Sequence, residues 1–487
     1  MTQPDPSPPD AIPVSAAEGT EPAVAARNAR QKDLTQGPVA TTLFLFALPS
    51  LGVNILQSVN QSVNTIWIGR FLGEAALAAT ANAGMIMFLM FSALFGFSMA
   101  TTILIGQYMG RGDLDSVRRS LGSSVGIFTI TGFLTALLGW IFAPQLLRWL
   151  ATPDDAFGLA LTYLRVIFLS MPTSFLMILL SSSLRGVGDA ITPMWTAIIN
   201  VVLDIILNPL FILGFGPIPA MGIGGSALAT LVAGVISVSI LVWQIYAKDL
   251  TLRLHGSELA YLKPSRKYIG PILKMGLPMG LAMIIMSASA LVMVGLINRE
   301  GVDTTAAYGI MNQLWSYVQM PAVAVGSAVS AMAAQNIGAG RWDRVNKIAL
   351  AGSGINVGMT ALLVGLITIA ARPIMQLFLA ADSPAIPIAI HIHHMVSWTF
   401  ILMGISMVLT FLVRANGAVI APLVILTIAA VVVRFTVGFG LYDRFGADAI
   451  WWAFIATSLS SFAMTIAYYL HGSWRKLSAL APQGKAV

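Results

Sequence analysis

Long apolar runs, separated by short polar segments, follow one another along most of the chain. Each run holds about 20 or more residues, enough to cross the ~30 Å hydrocarbon core of a bilayer as an α-helix. Period-two alternation, which is typical of a membrane β-barrel, is absent. The pattern therefore predicts an all-α membrane protein with twelve transmembrane helices, near residues 41–66, 75–106, 119–142, 159–182, 191–213, 223–246, 269–296, 304–337, 348–370, 388–412, 418–440 and 449–470.

The chain also repeats itself at a nearly fixed spacing. Motifs of the first half return 227 to 229 positions later: Leu48-Pro49 and Leu277-Pro278, Gln107–Gly112 and Gln335–Gly340, Arg185–Pro193 and Arg414–Pro422, Ala229-Thr230 and Ala456-Thr457. Because six spans are an even number, both halves enter the membrane from the same side, so the repeats are parallel. We expect two pseudo-symmetric six-helix lobes with a cleft between them, which suits alternating access.

Composition and charge support a membrane protein and give its orientation. Only 10% of the residues are charged and the mean hydropathy is +0.82, whereas soluble domains carry about 25% charged residues. With both termini inside, 20 Lys and Arg lie in inside segments and five in outside loops, so the +7 charge indicates topology rather than nucleic-acid binding. The expected parts are a disordered cytoplasmic tail (1–36), an N-terminal lobe (37–246), a cytoplasmic linker (247–268), a C-terminal lobe (269–470) and a cytoplasmic tail (471–487).

One carboxylate falls well inside a predicted span. Asp204 lies near the middle of the fifth span, and Asn200 and Asn208 lie four positions on either side, so the three form one polar stripe on a helix face. A carboxylate at bilayer depth costs at least ~2.5 kcal/mol on insertion scales. Such a group normally faces a cavity and binds a proton or a metal cation. The alternative is a protonated Asp that bridges two helices.

The first span carries a second polar face, made of amides. Gln57, Asn60 or Gln61, and Asn64 follow one another at helical spacing. A face this polar would be costly against lipid, so we expect it to meet the Asp204 stripe inside the N-terminal lobe. The alternative is that these amides only bond one helix to another.

Catalytic and cofactor motifs are absent from the sequence. There is no Walker A phosphate loop, so ATP does not drive the protein directly, and zero cysteines exclude thiolate ligands. We therefore predict neither an enzyme nor a bound cofactor or metal. The tract His391, His393 and His394 could bind metal or sense pH, but an interfacial polar patch is the simpler interpretation. Arg434 lies inside the eleventh span, where it either snorkels outward or faces a cavity.

Several of these segments resemble multidrug and toxic compound extrusion (MATE) transporters. The resemblance covers about Leu43 to Tyr469 and rests on the duplication and on the following segments: Gln107–Gly112 and its copy, Arg185–Pro193, Asn208–Thr230 and Asn64–Arg70. It implies a proton- or sodium-coupled antiporter that expels cationic and amphipathic drugs from a bacterial inner membrane.

The chain departs from that family's pattern at its acids. Asn64 and Asn208 stand where the family usually has Asp, and Asp204 stands where it has Asn, so the fifth-span acid is moved by one helical turn. Met286 and Met403 replace two acids that one branch carries in its second half. Coupling is therefore expected in the N-terminal lobe.

The sequence hypothesis is a drug antiporter coupled to H⁺ in preference to Na⁺, because only one acid is available. The expected cation-coupling residues are Asp204, Asn208, Asn200, Asn64, Gln57 and Thr230. The expected hinges are Pro49, Pro172, Pro209 and Pro278. One alternative is a flippase for lipid-linked saccharides, whose cationic cavity would have to use Arg434 and Arg165; a receptor or scaffold is another. A monomer is the default expectation.

Overall fold

The computed structural model describes residues 32–150, 152–477 and 479–480. Most of the two predicted tails, at 1–31 and 481–487, lies outside the described residues. Within the described part the chain is helical, and its only β feature is an isolated bridge between Phe215 and Ile218.

Each half of the chain contains six membrane-spanning units. In the first half the helices are α1 (Val39–Leu72), α2 (Glu74–Gly110), α3 (Leu114–Trp149), α4 (Asp154–Leu169), α5 (Met171–Gly186), α6 (Ile191–Leu213) and α7 (Gly222–Ala247). In the second half they are α8 (Arg266–Ile297), α9 (Val302–Gly338), α10 (Trp342–Ile369), α11 (Ala371–Gln376), α12 (Ala385–Val396), α13 (Thr399–Arg414), α14 (Ile420–Thr427), α15 (Arg434–Gly440), α16 (Tyr442–Phe445) and α17 (Asp448–His471).

The twelve predicted spans are confirmed among the described residues. Ten are continuous apolar stretches, and two are helix pairs bent by 48° at α4–α5 and by 49° at α12–α13. The two bent spans are the fourth of each half, as a duplicated fold requires. The eleventh span contains a π-helical turn, Ile428–Val433, between α14 and α15.

The first helix of each half packs at its start with the other lobe. Leu43 of α1 shares a core with Val329 of α9, whereas Ile68 at the far end of α1 lies in the N-lobe core. In the same way, Met275 of α8 packs with Ile103 of α2. The two lobes are therefore joined where α1 and α8 begin.

We call the end where the lobes are joined the basic end, because most of the described Lys and Arg residues lie in its connecting segments, in the adjoining helix turns or in the chain ends beside them. The connecting segments are 111–113, 187–190, 248–265, 339–341 and 415–419. Reciprocal hydrogen bonds close it. Gln107 Nε2 of the N lobe donates to Ala415 O of the C lobe at 2.6 Å, and Gln335 Nε2 donates to Gly186 O at 2.9 Å. The repeated glutamine motif thus fastens each lobe to a helix end of the other.

The glycines of the same motif allow the two lobes to approach so closely. A Cβ atom at Gly110 would lie 1.9 Å from Gln335 O, and one at Gly338 would lie 2.1 Å from Gln107 O. No side chain fits at these distances, since the obstacle is backbone in both cases. The motif therefore acts as a backbone contact between α2 and α9.

Residues 32–36, which were assigned from sequence to a disordered tail, are ordered against the basic end. Leu34 is fully buried, its N–H donates to Gln335 Oε1 at 3.2 Å, and its carbonyl accepts from Asn336 Nδ2 at 3.0 Å. The segment is ordered because the side chain of Leu34 is buried and its backbone N–H and carbonyl are both hydrogen-bonded.

The linker between the lobes docks on the N lobe. Its 3₁₀ turn, Gly256–Leu262, packs against α3, and Arg118 Nη1 donates to Glu258 Oε1 at 2.8 Å. Hydrogen bonding from the His255 backbone, together with Arg118, holds the pKa of Glu258 below its usual value.

The four predicted hinge prolines occupy two kinds of position. Pro49, Pro209 and Pro278 lie inside α1, α6 and α8 respectively, where each removes one backbone hydrogen bond. Pro172 stands in the first turn of α5, directly after the 48° bend. Hinge motion at these residues stays a prediction.

Candidate cation-binding site and cleft

Asp204 lies in the middle of α6 and is 2% exposed. Its Oδ2 accepts hydrogen bonds from Asn64 Nδ2 at 2.7 Å and from Asn60 Nδ2 at 3.0 Å, and its Oδ1 accepts one from Thr230 Oγ1 at 3.0 Å. The carboxylate therefore joins three helices of the N lobe, α1, α6 and α7. Among the described residues, no Lys, Arg or His forms an ion pair with it.

The spacing of these donors explains how they converge. Asn60 and Asn64 are four residues apart on α1, so both side chains face the same neighbour. Hydrogen bonds to an ionised acceptor are roughly twice as strong as neutral ones. Three such bonds allow a carboxylate to remain buried without a counter-charge.

Three other predicted site residues lie near the carboxylate, but no hydrogen bond between described residues joins them to it. Asn208 is fully buried and donates through Nδ2 to Asn64 Oδ1 at 3.0 Å, so it orients Asn64. Asn200 accepts from Ser237 Oγ at 3.3 Å, and the exposed Gln57 lines the adjoining cleft. The polar stripe on α6 therefore bonds to two neighbouring helices: Asn208 to α1, Asn200 to α7, and Asp204 to both.

Asn60 is a direct contact that the predicted residue set left out. It appeared in the sequence only as a member of the amide face. The available signal was its spacing of four positions from Asn64, because residues one helical turn apart face the same neighbouring helix.

Two amide oxygens beside the carboxylate lack partners. Asn60 Oδ1 and Asn208 Oδ1 are buried, and neither accepts a hydrogen bond from the described residues. An unused acceptor here can accept a hydrogen bond from a protonated carboxyl group, because a protonated Asp is a donor.

A cleft of about 1210 Å³ separates the lobes on the side of the molecule away from the basic end. Asp204, Asn60, Asn64 and Thr230 belong to its N-lobe wall. The C lobe contributes Ser287, Ala290, Leu291, Val294, Tyr308 and Asn312. The cleft reaches Leu150 at the end of α3, which is 38% exposed, so it opens at the end opposite the basic one.

A second cavity of about 570 Å³ lies between α1, α9 and α10. Its lining is almost wholly apolar and includes no Asp, Glu, Lys, Arg or His. It lacks the chemistry to bind an ion, so the cleft beside Asp204 is the candidate site.

The histidine tract does not converge on one point. His391 is exposed and its Nε2 contacts Asp448 Oδ1 at 2.9 Å, whereas His393 is buried and its Nε2 contacts Thr368 Oγ1 at 2.8 Å. His394 lies beside His393 with ring centroids 5.7 Å apart. The three side chains therefore have separate surroundings, which favours a polar patch.

The two arginines inside the spans lie outside the cleft lining. Arg165 is half-buried with its guanidinium 5.4 Å from the Trp140 ring, and Arg434 is 7% exposed inside the C lobe. No Lys or Arg lines the cleft among the described residues.

Comparison with known proteins points to one family. The family model MatE matches residues 49–210 and again 278–439, one match in each half. The chain is 33% identical to "Probable multidrug resistance protein YoeA" of Bacillus subtilis, over 89% of this chain and 94% of that protein. It is 30% identical to "Probable multidrug resistance protein YpnP" of the same organism, over 91% and 98%.

Solved structures share the fold. One, described as the outward-facing conformation of a multidrug resistance MATE family transporter of the MOP superfamily, superposes with a TM-score of 0.84 at 18% identity, over 92% of this chain and 99% of that chain. Another, a MOP superfamily transporter from Pyrococcus furiosus, superposes with a TM-score of 0.82 at 19% identity, over 91% and 97%. At these identities the likeness concerns the fold alone.

Proposed function

Because the chain belongs to the MatE family of multi-pass membrane transporters, we propose that it is a secondary antiporter exporting cationic or amphipathic compounds in exchange for a proton at Asp204. The single observation that carries the proposal is the buried carboxylate itself. It stands in the wall of the cleft between the lobes, with three hydrogen-bond donors and no counter-charge among the described residues.

Protonation of Asp204 would reverse the polarity of its contacts. The ionised group accepts from Asn60, Asn64 and Thr230, and so holds α1 against α6 and α7. The protonated group is a weaker acceptor and gains an O–H donor, from which Asn60 Oδ1 can accept a hydrogen bond. The state of the proton thereby changes how firmly α1 is held, and α1 also packs on the C lobe.

The donor set favours H⁺ over Na⁺. All three groups bonded to Asp204 present hydrogen atoms to it, whereas a sodium ion requires several oxygens pointing inward. The nearby unpaired oxygens are two neutral amides, which add no charge. A proton needs only the carboxylate.

The closed basic end and the open cleft correspond to one half of an alternating-access cycle. With the basic end on the cytoplasmic side, as the distribution of Lys and Arg indicates, the cleft faces outward. A proton from outside reaches Asp204 there, and exported compound leaves by the same route. Exchange requires that proton and compound bind the two states with different affinity.

The flippase alternative has no support in the cleft. A pyrophosphate-bearing lipid needs cationic side chains, yet the lining includes one acid and no Lys or Arg among the described residues.

Purified protein in lipid vesicles tests the proposal. Efflux of an ethidium-like cation should follow an imposed pH gradient, and replacing Na⁺ by K⁺ at fixed pH should leave it unchanged. Asp204→Asn should lower gradient-driven exchange by about 100-fold or more, because the neutral amide cannot carry a proton.

The matched control is Asp303→Asn, the same change at an exposed position of α9. It should transport as the unmodified protein does. Full gradient-driven efflux by the Asp204→Asn variant would refute proton coupling at this residue, and dependence on Na⁺ at fixed pH would replace the proton by sodium.

A further inference from the structure

Arg434 carries a buried guanidinium for which the proposed exchange gives no role. It opens α15 and is 7% exposed. Its Nε donates to Thr457 Oγ1 and its Nη1 donates to Ser289 Oγ, both at 3.2 Å, and its Cζ lies 5.0 Å from the Phe454 ring centroid. None of the ion pairs between described residues involves it.

The two hydroxyls are oriented to receive a cation. Thr457 Oγ1 donates its proton to Ala453 O at 2.7 Å, and Ser289 Oγ donates to Ala430 O. Because each hydroxyl donates its hydrogen to a backbone carbonyl, its lone pairs are free to accept from the guanidinium. Together with the face of an aromatic ring, they form a neutral cage for a positive charge.

The cage stands at the pseudo-symmetric counterpart of the Asp204 site. Thr457 corresponds to Thr230 and Ser289 to Asn60, at spacings of 227 and 229 positions. Thr230 and Asn60 both donate to Asp204, whereas Thr457 and Ser289 both accept from Arg434. The same pair of helix positions thus serves an acid in one lobe and a base in the other.

A second pair of contacts fixes this correspondence. In the N lobe Asn208 bonds to Asn64. At the matching positions of the C lobe, a Cβ atom added to Gly438 would lie 3.6 Å from the terminal methyl of Met293. The spacings are 229 for Asn64 and Met293 and 230 for Asn208 and Gly438, and Asp204 and Arg434 are also 230 positions apart.

The π-helical turn brings Arg434 into this position. Asp204 follows Pro193 by eleven residues, whereas Arg434 follows the matching Pro422 by twelve. A π-turn takes in one extra residue, and Ile428–Val433 lies between Pro422 and Arg434. Without that turn, Val433 would stand opposite Asp204 in the repeat.

We propose that Arg434 is a tethered cation that fills the C-lobe counterpart of the coupling site, so that a transport cycle exchanges a cation at Asp204 alone. Exchange at Asp204 alone rests on the proposed function, whereas the occupation of the C-lobe site by Arg434 does not. The guanidinium cannot lose its charge or leave, so the C lobe is held permanently in its cation-bound form. Arg434 is a positioning residue, because it lies behind the cleft lining rather than in it.

The surroundings favour a built-in cation over a subsite for an anionic part of the substrate. Tyr308 lines the cleft, its ring lies 6.2 Å from that of Phe454, and Phe454 in turn covers Arg434. The guanidinium contacts a ring that does not line the cleft and is itself absent from the cleft lining, and the hydroxyls that hold it are neutral.

Removal of the side chain and its replacement by a free cation test the proposal. Arg434→Ala should lower the Tm of the purified protein, and guanidinium at low millimolar concentration should raise it again by about 2–4 °C. Urea, which has the same shape and no charge, should not. Arg444→Ala, at an exposed position, is the matched control and should respond to neither compound.

The same additions are made to vesicles carrying the variant. Its coupled efflux should fall only as far as its loss of stability lowers the amount of folded protein, and guanidinium but not urea should restore it. Equal rescue by urea, or no rescue by guanidinium, would overturn the tethered cation. If Arg434→Ala fails to fold, Arg434→Lys and Arg434→Gln replace it: Lys should keep most of the Tm, and a Gln variant as stable as the Lys variant would overturn the proposal.

The Tm comparison does not depend on transport. A wild-type protein that shows no gradient-driven efflux, combined with selective rescue of Tm by guanidinium, would overturn proton antiport and support the cage. Normal wild-type efflux without selective rescue would overturn the cage and support antiport.

Discussion

The two lobes repeat one fold but hold opposite charges at matching places. In the N lobe, Asp204 is bonded by the amides of Asn60 and Asn64 and opens to the cleft. In the C lobe, Arg434 is bonded by hydroxyl oxygens and lies behind the cleft wall. An acid can exchange a proton, whereas an arginine keeps its charge. The duplication gives both lobes the same helix arrangement, and a few side chains and one π-turn give the two matching sites opposite charges.

The comparison predicts which substitutions impair proton-coupled transport and which only lower the stability of the protein. Changes around Asp204 should alter the dependence of transport on pH. Changes at the matching C-lobe positions should alter stability and leave that dependence in place.

Asn64 should give the largest effect among the groups around the two charges. Asn64→Ala removes the 2.7 Å bond to Asp204 and also the partner of Asn208. A hydrogen bond to a charged group contributes about 1.5–3 kcal/mol, so gradient-driven efflux should fall roughly 10- to 100-fold.

The counterpart control is Met293→Leu, which conserves volume in the C lobe. It should cost less than about 1.5 kcal/mol of stability and leave efflux intact. Equal losses from both variants would contradict the functional difference between the lobes.

The two threonines form the next pair. Thr230→Val removes one donor to Asp204 at nearly constant shape, and efflux should fall about tenfold with a shifted pH profile. Thr457→Val leaves Arg434 Nε without its acceptor, so the Tm should fall while the pH profile stays the same. A pH profile that moves in both variants would show that the C lobe also takes part in proton exchange.

The sequence was sufficient to predict the number of membrane-spanning helices and their arrangement in two repeats. Apolar runs and motifs at a fixed spacing gave the twelve spans and their duplication, because lipid imposes helices and each span must be long enough to cross it. The facing of Asp204 and Asn64 also followed from two polar stripes that had no other polar surface to meet.

The finer contacts did not follow from the sequence. Asn200 bonds to Ser237 instead of joining the carboxylate, since one turn of helix is enough to bring a different neighbour within reach. Arg434 could not be recognised as the counterpart of Asp204, because the π-turn shifts the repeat by one residue after Pro422. The start of α1 packs with the other lobe. A hydropathy pattern shows which residues are apolar but not which lobe they pack against, so this contact could not be predicted.

The linker should give the smallest effect. Glu258, whose pKa is held below its usual value by the His255 backbone and Arg118, contributes stability above its unfolded pKa and loses it as pH falls through the lowered value. A surface ion pair of this kind contributes about 0–1 kcal/mol. Hydrogen exchange at 256–262 should therefore rise in acid.

In the Glu258→Gln variant that rise should be absent, and efflux should be unchanged at neutral pH. Acid-dependent exchange that persists in the variant would assign the effect to another group.

Proton release on substrate binding tests the role of Asp204 most directly. Purified protein in weakly buffered detergent solution is mixed with an ethidium-like cation, and the pH change is recorded. The wild type should release a measurable fraction of one proton per molecule, and Asp303→Asn the same fraction, because the exchange is assigned to Asp204. The Asp204→Asn variant should bind the compound and release none. Release that is undiminished in Asp204→Asn would contradict the assignment of coupling to this carboxylate.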